Sequence, residues 1–262
     1  MQTDPVTTSD RWQPLRALTR ARIALGRAGA SLPTRPWLEF KLAHAQARDA
    51  VHNQLDLEQL TDELAPLGLD LVQVETAAAD RAVFLRRPDL GCRLTRQSRA
   101  GIEQLAERMS EEPDLAIVLS GGLSALALQQ QVPPLLSRLL PKLEAEHWKL
   151  APLVIAPLAR VALQDEVGAL FRARLALILL GERPGLDAAD SLGAYLVYQP
   201  QPGKTNAERN CVSNIRAAGL SSEEGAEAIA YLLRRAREQR RSGIALKDER
   251  QVIEQDSRDR IE

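Results

Sequence analysis

The stretch LAIVLSGGLSALAL, residues 115–128, decides the fold class of this chain. It begins with a short apolar run that contains β-branched residues, continues through Gly121 and Gly122, and ends in helix-compatible residues. An apolar run, a glycine pair and a helical pattern predict a strand, a tight turn and a helix in that order.

The same unit recurs further along the chain. Apolar runs stand at residues 153–156 (LVIA), 175–180 (LALILL) and 194–198 (AYLVY). A helix-compatible segment separates the first two of these runs. Strands that are apolar throughout are buried on both sides and need helical crossovers. We therefore predict an α/β protein with a Rossmann-like parallel sheet flanked by helices, over residues 82–246.

The segments on either side of this domain differ from it. Residues 1–81 predict a mainly helical N-terminal extension, with helices over residues 12–29, 37–51 and 57–67. The domain's last helix is predicted over residues 222–241. The charged residues 247–262 predict a flexible tail.

Composition excludes several classes of protein. The formal net charge of -1 does not favour binding of nucleic acid through overall charge. Cys92 and Cys211 are the only cysteines, which indicates neither a disulfide framework nor a zinc site and suits a reducing cytoplasm. The sequence shows no export signal and no apolar run long enough for a bilayer, so we expect a cytoplasmic protein.

Two loops that follow predicted strands are the places to search for a ligand. They are SGGLS at residues 120–124 and GERPGL at residues 181–186. Ligands of parallel sheets gather outside the carboxyl ends of the strands, and glycine lets the backbone approach a ligand closely. Tight turns without a ligand explain the glycines equally well. Glu182 either accepts hydrogen bonds from a ligand or pairs with Arg183 or caps a helix.

No set of catalytic residues is apparent. The three histidines stand in charge-rich helical stretches and are expected at the surface: His44, His52 and His147. No histidine near Cys211 in sequence would activate it as a nucleophile, so we interpret it as a residue that lines a pocket. The layout of a cofactor domain without an acid, base or nucleophile set suggests that a partner does the chemistry.

Two nucleotide motifs are incomplete. PGKT at residues 202–205 resembles the end of a P-loop, but Tyr198 stands where the motif requires glycine. No GxGxxG follows a strand, which weakens an ordinary dinucleotide site.

Five linked motifs closely resemble the small (light) subunit of ethanolamine ammonia-lyase. They are RRPDLG (residues 86–91), LSGGLSALAL (119–128), RVALQDEVG (160–168), LLGERPGL (179–186) and ERNCVSNIR (208–216). Their order and spread cover nearly the whole chain. GERPGL and CVSN are the most specific of them.

The resemblance implies an adenosylcobalamin-dependent lyase that converts ethanolamine to acetaldehyde and ammonia by a radical mechanism. It implies that a large, TIM-barrel subunit carries the substrate site and that the small subunit binds cobalamin at the interface between them. It also implies that Val161, Glu182 and Cys211 contact the cofactor. Because the chain lacks a DxHxxG motif, we expect base-on binding, with no metal ligand and no catalytic residue from this chain.

Two positions depart from the pattern that the resemblance predicts. Gly121 stands where we expect aspartate, and Cys92 stands where we expect arginine. The N-terminal extension is short for the family. In some members this region aids targeting to a bacterial microcompartment. The short extension argues against such targeting here, which stays an expectation to be tested.

Two other readings remain open. One is a stand-alone Rossmann-like oxidoreductase that uses the SGGLS turn. The other is a non-catalytic interaction protein whose arginine-rich residues 232–243 bind an acidic partner, against which a solvated helix face is the simpler interpretation.

Overall fold

The computed structural model of the protein describes residues 7–249. The helices are α1 (Thr34–His52), α2 (Leu57–Leu64), α3 (Arg81–Arg86), α4 (Arg96–Arg108), α5 (Ala125–Ala145), α6 (Leu163–Leu170) and α7 (Ser222–Gln239). The strands are β1 (Leu71–Gln73), β2 (Leu115–Ser120), β3 (Leu153–Ile155), β4 (Leu175–Gly181), β5 (Leu192–Tyr198) and β6 (Arg209–Ile215). Short 3₁₀ turns cover Gln13–Leu18, Ala65–Leu67, Leu90–Cys92, Asn206–Glu208 and Gly243–Ala245. The α/β class is confirmed.

The six strands form one mixed sheet in the order β1-β3-β2-β4-β5-β6. Strands β1, β3, β2 and β4 run parallel, whereas β5 is antiparallel to both β4 and β6. The expected Rossmann-like parallel sheet is therefore wrong for the side formed by β5 and β6. The physical reason is the connection, since the short loop between Gly181 and Leu192 contains no crossover helix and returns the chain antiparallel.

Helices cover the two sides of the sheet unequally. On one side, α5 and α7 pack on the sheet and on each other around a core that includes Leu135, Leu139 and Leu232. On the other side, α6 packs over β2 and β4, and α4 packs on α6. Strands β2 and β4 are buried throughout, as their apolar sequences predict.

Helix α5 extends far beyond the predicted segment LSALALQQQ. It continues through Pro133, Pro134 and Pro141. Proline normally interrupts a helix because it lacks an N–H and crowds the preceding turn. Here the residues around the prolines, among them Leu136 and Leu143, are buried in the core, which compensates for the missing hydrogen bonds.

The N-terminal segment matches its prediction in part. The helices predicted over residues 37–51 and 57–67 are present as α1 and as α2 with its following 3₁₀ turn. The helix predicted over residues 12–29 is wrong, because only Gln13–Leu18 is helical and Thr8 pairs with Arg27 in an isolated bridge. Trp12, Leu15 and Leu18 belong to neither core cluster, and Leu18 is 82% exposed. An amphipathic pattern without a packing partner does not hold a helix.

The segment before residue 82 also contributes β1 to the edge of the sheet. A domain boundary at residue 81 stays a prediction. The flexible tail predicted for residues 247–262 lies, from residue 250 onward, outside the described residues. In residues 7–249, no helix combines the length and the apolar character needed to cross a bilayer.

Candidate functional site

The loops after β2, β3 and β4 meet at the carboxyl edge of the parallel strands. The buried Ser120 hydroxyl accepts hydrogen bonds from Gly122 N (3.1 Å) and Ala159 N (3.0 Å). Leu123 N donates to Gly181 O at 2.9 Å. These bonds join the three loops into one floor, so the residues that they carry hold fixed relative positions.

Glycine is required in this floor by close backbone packing. Gly122 has φ +51°, and a Cβ on it would lie 2.5 Å from Gly181 O. A Cβ on Gly181 would lie 2.0 Å from Ser124 O. The glycines of both loops therefore bring backbone against backbone, which is the tight-turn explanation of these glycines.

A cavity of about 370 Å³ opens above this floor. Its lining residues come from all three loops and from β5: Gly122, Leu123, Ala159, Arg160, Leu180, Gly181, Glu182, Arg183 and Tyr195. Glu182 is the only carboxylate among them, and Arg160 and Arg183 bring positive charge to the same cavity.

Glu182 is held by neutral donors. Its Oε2 accepts a hydrogen bond from Ser191 Oγ at 2.5 Å and another from Asn214 N at 3.3 Å. Its own N–H donates to Ser191 O at 2.9 Å. Among the described residues it forms no ion pair with Arg183 and caps no helix, so both structural alternatives for this carboxylate are wrong. No protein donor in that part of the chain reaches Oε1.

The N–H of Asn214 reaches Glu182 because strand β6 is irregular at this point. The register between β5 and β6 shifts between Leu192 and Ala194, and Asn214 has φ +60°. A bulge of this kind takes a residue out of the strand ladder and redirects its N–H. Here the N–H of Asn214 is directed to Glu182.

Cys211 lies beside Tyr195 as its cross-strand partner on β5 and β6. The side chain of Cys211 is exposed, on the side of the sheet opposite α7, and Tyr195 is half-buried. Although the residue is exposed overall, partial desolvation of its sulfur raises the pKa of the Cys211 thiol, the neighbouring Tyr195 hydroxyl lowers that pKa, and the Glu182 charge raises it further. Burial also raises the pKa of Tyr195, and the neighbouring Cys211 and Glu182 add to this rise. Glu182, Tyr195 and Cys211 thus form one cluster with a protonated thiol and phenol.

Residues 9–247 match the family described as Ethanolamine ammonia-lyase light chain (EutC). The chain belongs to this family.

Curated relatives agree with the family match. The chain is 51% identical over 241 residues to the ethanolamine ammonia-lyase small subunit of Pseudomonas paraeruginosa, which covers 92% of this chain and 88% of the relative. It is 50% identical over 249 residues to that of Azotobacter vinelandii, covering 95% and 92%. It is 52% identical over 248 residues to that of Bradyrhizobium diazoefficiens, covering 94% of each.

Of the three residues that the family resemblance assigns to the cofactor, two meet in the cluster. Glu182 and Cys211 both neighbour Tyr195. Val161 lies in the turn before α6, packs partly against the core, and directly follows Arg160 of the cavity lining. Val161 and Tyr195 pack against the same core cluster, and Val161 is not among the residues that line the cavity.

The two departures from the family pattern lie close to this edge. Gly121 is buried, and a Cβ on it would lie 3.3 Å from Pro157 O, so a side chain there would displace its neighbours slightly. Cys92 ends the 3₁₀ turn Leu90–Cys92 and donates through Sγ to Pro88 O at 3.4 Å. Burial raises the pKa of the Cys92 thiol.

Sequence reasoning missed several members of the site. Ser191, Gly193, Tyr195 and Asn214 were not singled out, although Tyr195 stands in the run at residues 194–198 that predicts β5 and Gly193 directly precedes that run. Strand β6 was missed because ERNCVSNIR contains few apolar residues. The buried positions of this strand, Arg209, Val212 and Ile215, lie three residues apart, so β6 lacks the period of two by which a regular half-buried strand is recognised.

The residues that sequence analysis set aside lie elsewhere. Lys204 of the PGKT stretch is in the loop after β5, at the opposite edge of the sheet, where its Nζ contacts Glu208 Oε1 at 3.0 Å. His147 follows α5 at that same opposite edge, and His44 and His52 are on α1. Within residues 7–249, no group of three potential metal ligands occurs among His, Cys, Asp and Glu.

Proposed function

We propose that this chain is the small subunit of an adenosylcobalamin-dependent ethanolamine ammonia-lyase. It binds the cofactor base-on at the interface with a large subunit, and the reaction of ethanolamine to acetaldehyde and ammonia occurs only in the complex of the two. The name small subunit, which the curated relatives carry, supports a larger partner.

The observation that carries this proposal is the cluster of Glu182, Tyr195 and Cys211 beside the carboxyl edge. The cluster lies on a side of β5 and β6 that α5 and α7 leave open. An open sheet surface next to a polar cavity suits a large, flat, partly apolar ligand. The cavity of about 370 Å³ is too small to enclose a corrin with its nucleotide tail. This chain therefore supplies one wall, and a partner closes the other.

The donor set of the cluster fits the surface of the cofactor. Corrin side chains end in amides, and Glu182 Oε1 is an acceptor directed to no described protein donor. Cys211, with its raised thiol pKa, packs as a small neutral group. Val161 offers apolar contact from the turn before α6. The residues bind and orient the cofactor and exclude water from it.

The cofactor, when bound, supplies a radical by homolysis of its cobalt–carbon bond. Glu182, Tyr195 and Cys211 are assigned to binding of the cofactor, so we assign the substrate chemistry to the large subunit. None of the three histidines lines the cavity, which supports base-on binding on this chain's side.

The other two functions find less support. A dinucleotide would have to approach the Gly122 turn, where Gly181 O and Leu180 already fill the space. The arginines at the end of α7 are partly engaged, since both Arg234 and Arg237 pair with Glu146. We place the complex in the cytoplasm and leave association with a microcompartment as a prediction.

Reconstitution tests the proposal. The chain is co-expressed with an ethanolamine ammonia-lyase large subunit, the complex is isolated and adenosylcobalamin is added. We expect a stable complex, a retained cobalamin spectrum after gel filtration, and acetaldehyde from ethanolamine. Each subunit alone is the control. Failure to form a complex that retains cobalamin would contradict the proposal.

A further inference from the structure

Three arginines surround the carboxyl edge without a carboxylate partner. They are Arg81 on α3, Arg160 after β3 and Arg183 after β4. Within the described residues, none of the three forms an ion pair. Burial and the charge of Arg160 lower the pKa of Arg81, and burial together with the charge of Arg183 lowers that of Arg160. The guanidinium groups therefore influence one another, and positive charge accumulates at this edge.

The buried arginines elsewhere in the fold are paired. Arg209 contacts Asp165 in the interior, and Arg216 lies 3.4 Å from Asp190. Pairing is the rule for buried charges because an unpaired charge loses its hydration without compensation. The half-buried Arg81 and Arg160 depart from that pairing at the edge where the cavity opens, and the exposed Arg183 brings a third unpaired charge to the same edge.

Arg160 is held in place and keeps unused donors. Its guanidinium lies 4.1 Å from the centre of the buried Phe84 ring, and Nη2 donates to Phe84 O at 3.0 Å. Its Nε is buried without a partner, and Nη1 donates to no described protein atom. Stacking and one carbonyl thus fix the plane of this guanidinium while Nη1 stays available.

Arg81 has a different position. Nε and Nη2 donate to Val51 O at 2.9 and 2.6 Å, and Nη1 donates to Gly122 O. Its donors are all directed at the end of α1 and at the glycine turn. Arg81 therefore adds charge to the site and positions the turn, and the accessible donors belong to Arg160 and Arg183.

We propose that Arg160 and Arg183 bind the phosphodiester of the cofactor's nucleotide tail. Guanidinium groups recognise phosphate oxygens through charge-assisted hydrogen bonds, and two convergent arginines supply both charge and direction. The proposal rests on the proposed function and adds to it the part of the ligand that faces this edge. It also places the amide-bearing corrin nearer to Glu182 and Cys211.

The test compares two ligands that differ in the nucleotide tail. Cyanocobalamin contains the phosphodiester, whereas cobinamide lacks it together with the nucleotide. The complex with the large subunit is titrated with each ligand, and dissociation constants are obtained from absorbance spectra. Arg183→Gln is the first variant, since Arg183 is exposed and its replacement leaves the core intact. Arg160→Lys and Arg160→Gln follow, and Arg108→Gln, at the opposite edge, is the matched control.

We expect each glutamine variant to raise the dissociation constant for cyanocobalamin by about 10-fold, the loss of one charge-assisted contact, while that for cobinamide stays unchanged. Arg160→Lys keeps the charge and is expected to retain part of the affinity. Arg108→Gln changes neither constant. If cobinamide binds too weakly to titrate, the salt dependence decides, because wild-type affinity for cyanocobalamin falls with KCl and the variants respond less.

Two results separate this inference from the proposed function. Unchanged binding of cyanocobalamin by both glutamine variants, or an equal loss for both ligands, overturns the role of the arginines and leaves the proposed function standing. Absence of cyanocobalamin binding by the wild-type complex overturns the proposed function itself.

Discussion

The missing side chain of Gly193 makes room for the carboxylate of Glu182. A Cβ at residue 193 would lie 2.8 Å from Glu182 Oε1 and 3.0 Å from Tyr195 Cε2. Gly193 is on β5 within the sheet, where glycine is otherwise unfavourable. Glycine is therefore required at residue 193 because Glu182 and Tyr195 occupy the space that a side chain would need.

Replacing Gly193 by alanine should displace the Glu182 carboxylate and weaken cofactor retention. We expect a rise of about 10-fold in the dissociation constant of cobalamin from the complex, the effect of losing one charge-assisted hydrogen bond. Gly101→Ala is the control, because no atom lies within 4 Å of its added Cβ on α4. Equal cobalamin affinities of the Gly193→Ala and Gly101→Ala variants would show that residue 193 does not contribute to cofactor binding.

Glu182→Gln should weaken retention of cobalamin and leave assembly with the large subunit intact. Glutamine keeps the size of the side chain and one acceptor oxygen but removes the charge that strengthens a hydrogen bond from an amide, so we expect about a 10-fold loss of affinity. Gel filtration measures assembly, and absorbance measures bound cobalamin. Glu103→Gln on α4 is the control. Loss of assembly with unchanged affinity would make Glu182 structural.

The Cys211 thiol should react slowly with iodoacetamide. Its pKa lies above the ordinary thiol value, chiefly because the sulfur is partly desolvated, so the reactive thiolate is a smaller fraction than in free cysteine at pH 8. In a Cys92→Ser background, Cys211 is the only thiol. Mass spectrometry should show labelling slower than that of free cysteine, a rate that still rises above pH 9, and protection by cobalamin in the complex. Labelling that cobalamin does not slow would place Cys211 outside the binding wall.

The buried pair of Asp165 and Arg209 should make stability depend on pH in an unusual direction. Burial raises the pKa of Asp165 to about 6, against the attraction of Arg209. The folded state therefore binds a proton that the unfolded state has released, between the ordinary carboxyl pKa and pH 6. This contribution to stability is present at low pH and is lost as the pH rises through that window.

The variant Asp165→Asn isolates this contribution, because asparagine has the shape of the protonated acid and does not titrate. Between pH 7 and pH 4.5, the free energy of unfolding of the wild type should rise relative to that of the variant by roughly 1–2 kcal/mol. Urea unfolding at both values measures the difference. A difference that is constant across this range, or that changes in the opposite direction, would contradict the raised pKa.

Much of the fold was predictable from local patterns. Strands β2 and β4 are apolar throughout and bounded by glycine or polar residues, and helix α7 follows a capping box formed by Ser221 and Glu224. These signals act within one segment. The direction of β5 was not predictable in this way, since it depends on how the loop after Gly181 returns the chain to the sheet.

The residues of the site likewise divide into those that local sequence patterns predict and those that only the pairing of distant segments reveals. Sequence alone singled out Glu182 and Cys211, because a carboxylate after a buried strand and a cysteine in a polar motif are visible in one dimension. Their convergence at Tyr195 and the bulge at Asn214 follow from strand pairing. The charge at Arg160 and Arg183 becomes visible only when the loops after β3 and β4 meet. The sequence by itself determined the α/β class, the family and the candidate loop GERPGL. The tertiary structure decided the mixed sheet, the open side beside β6 and the unpaired arginines, because pairing and burial are relations between distant segments.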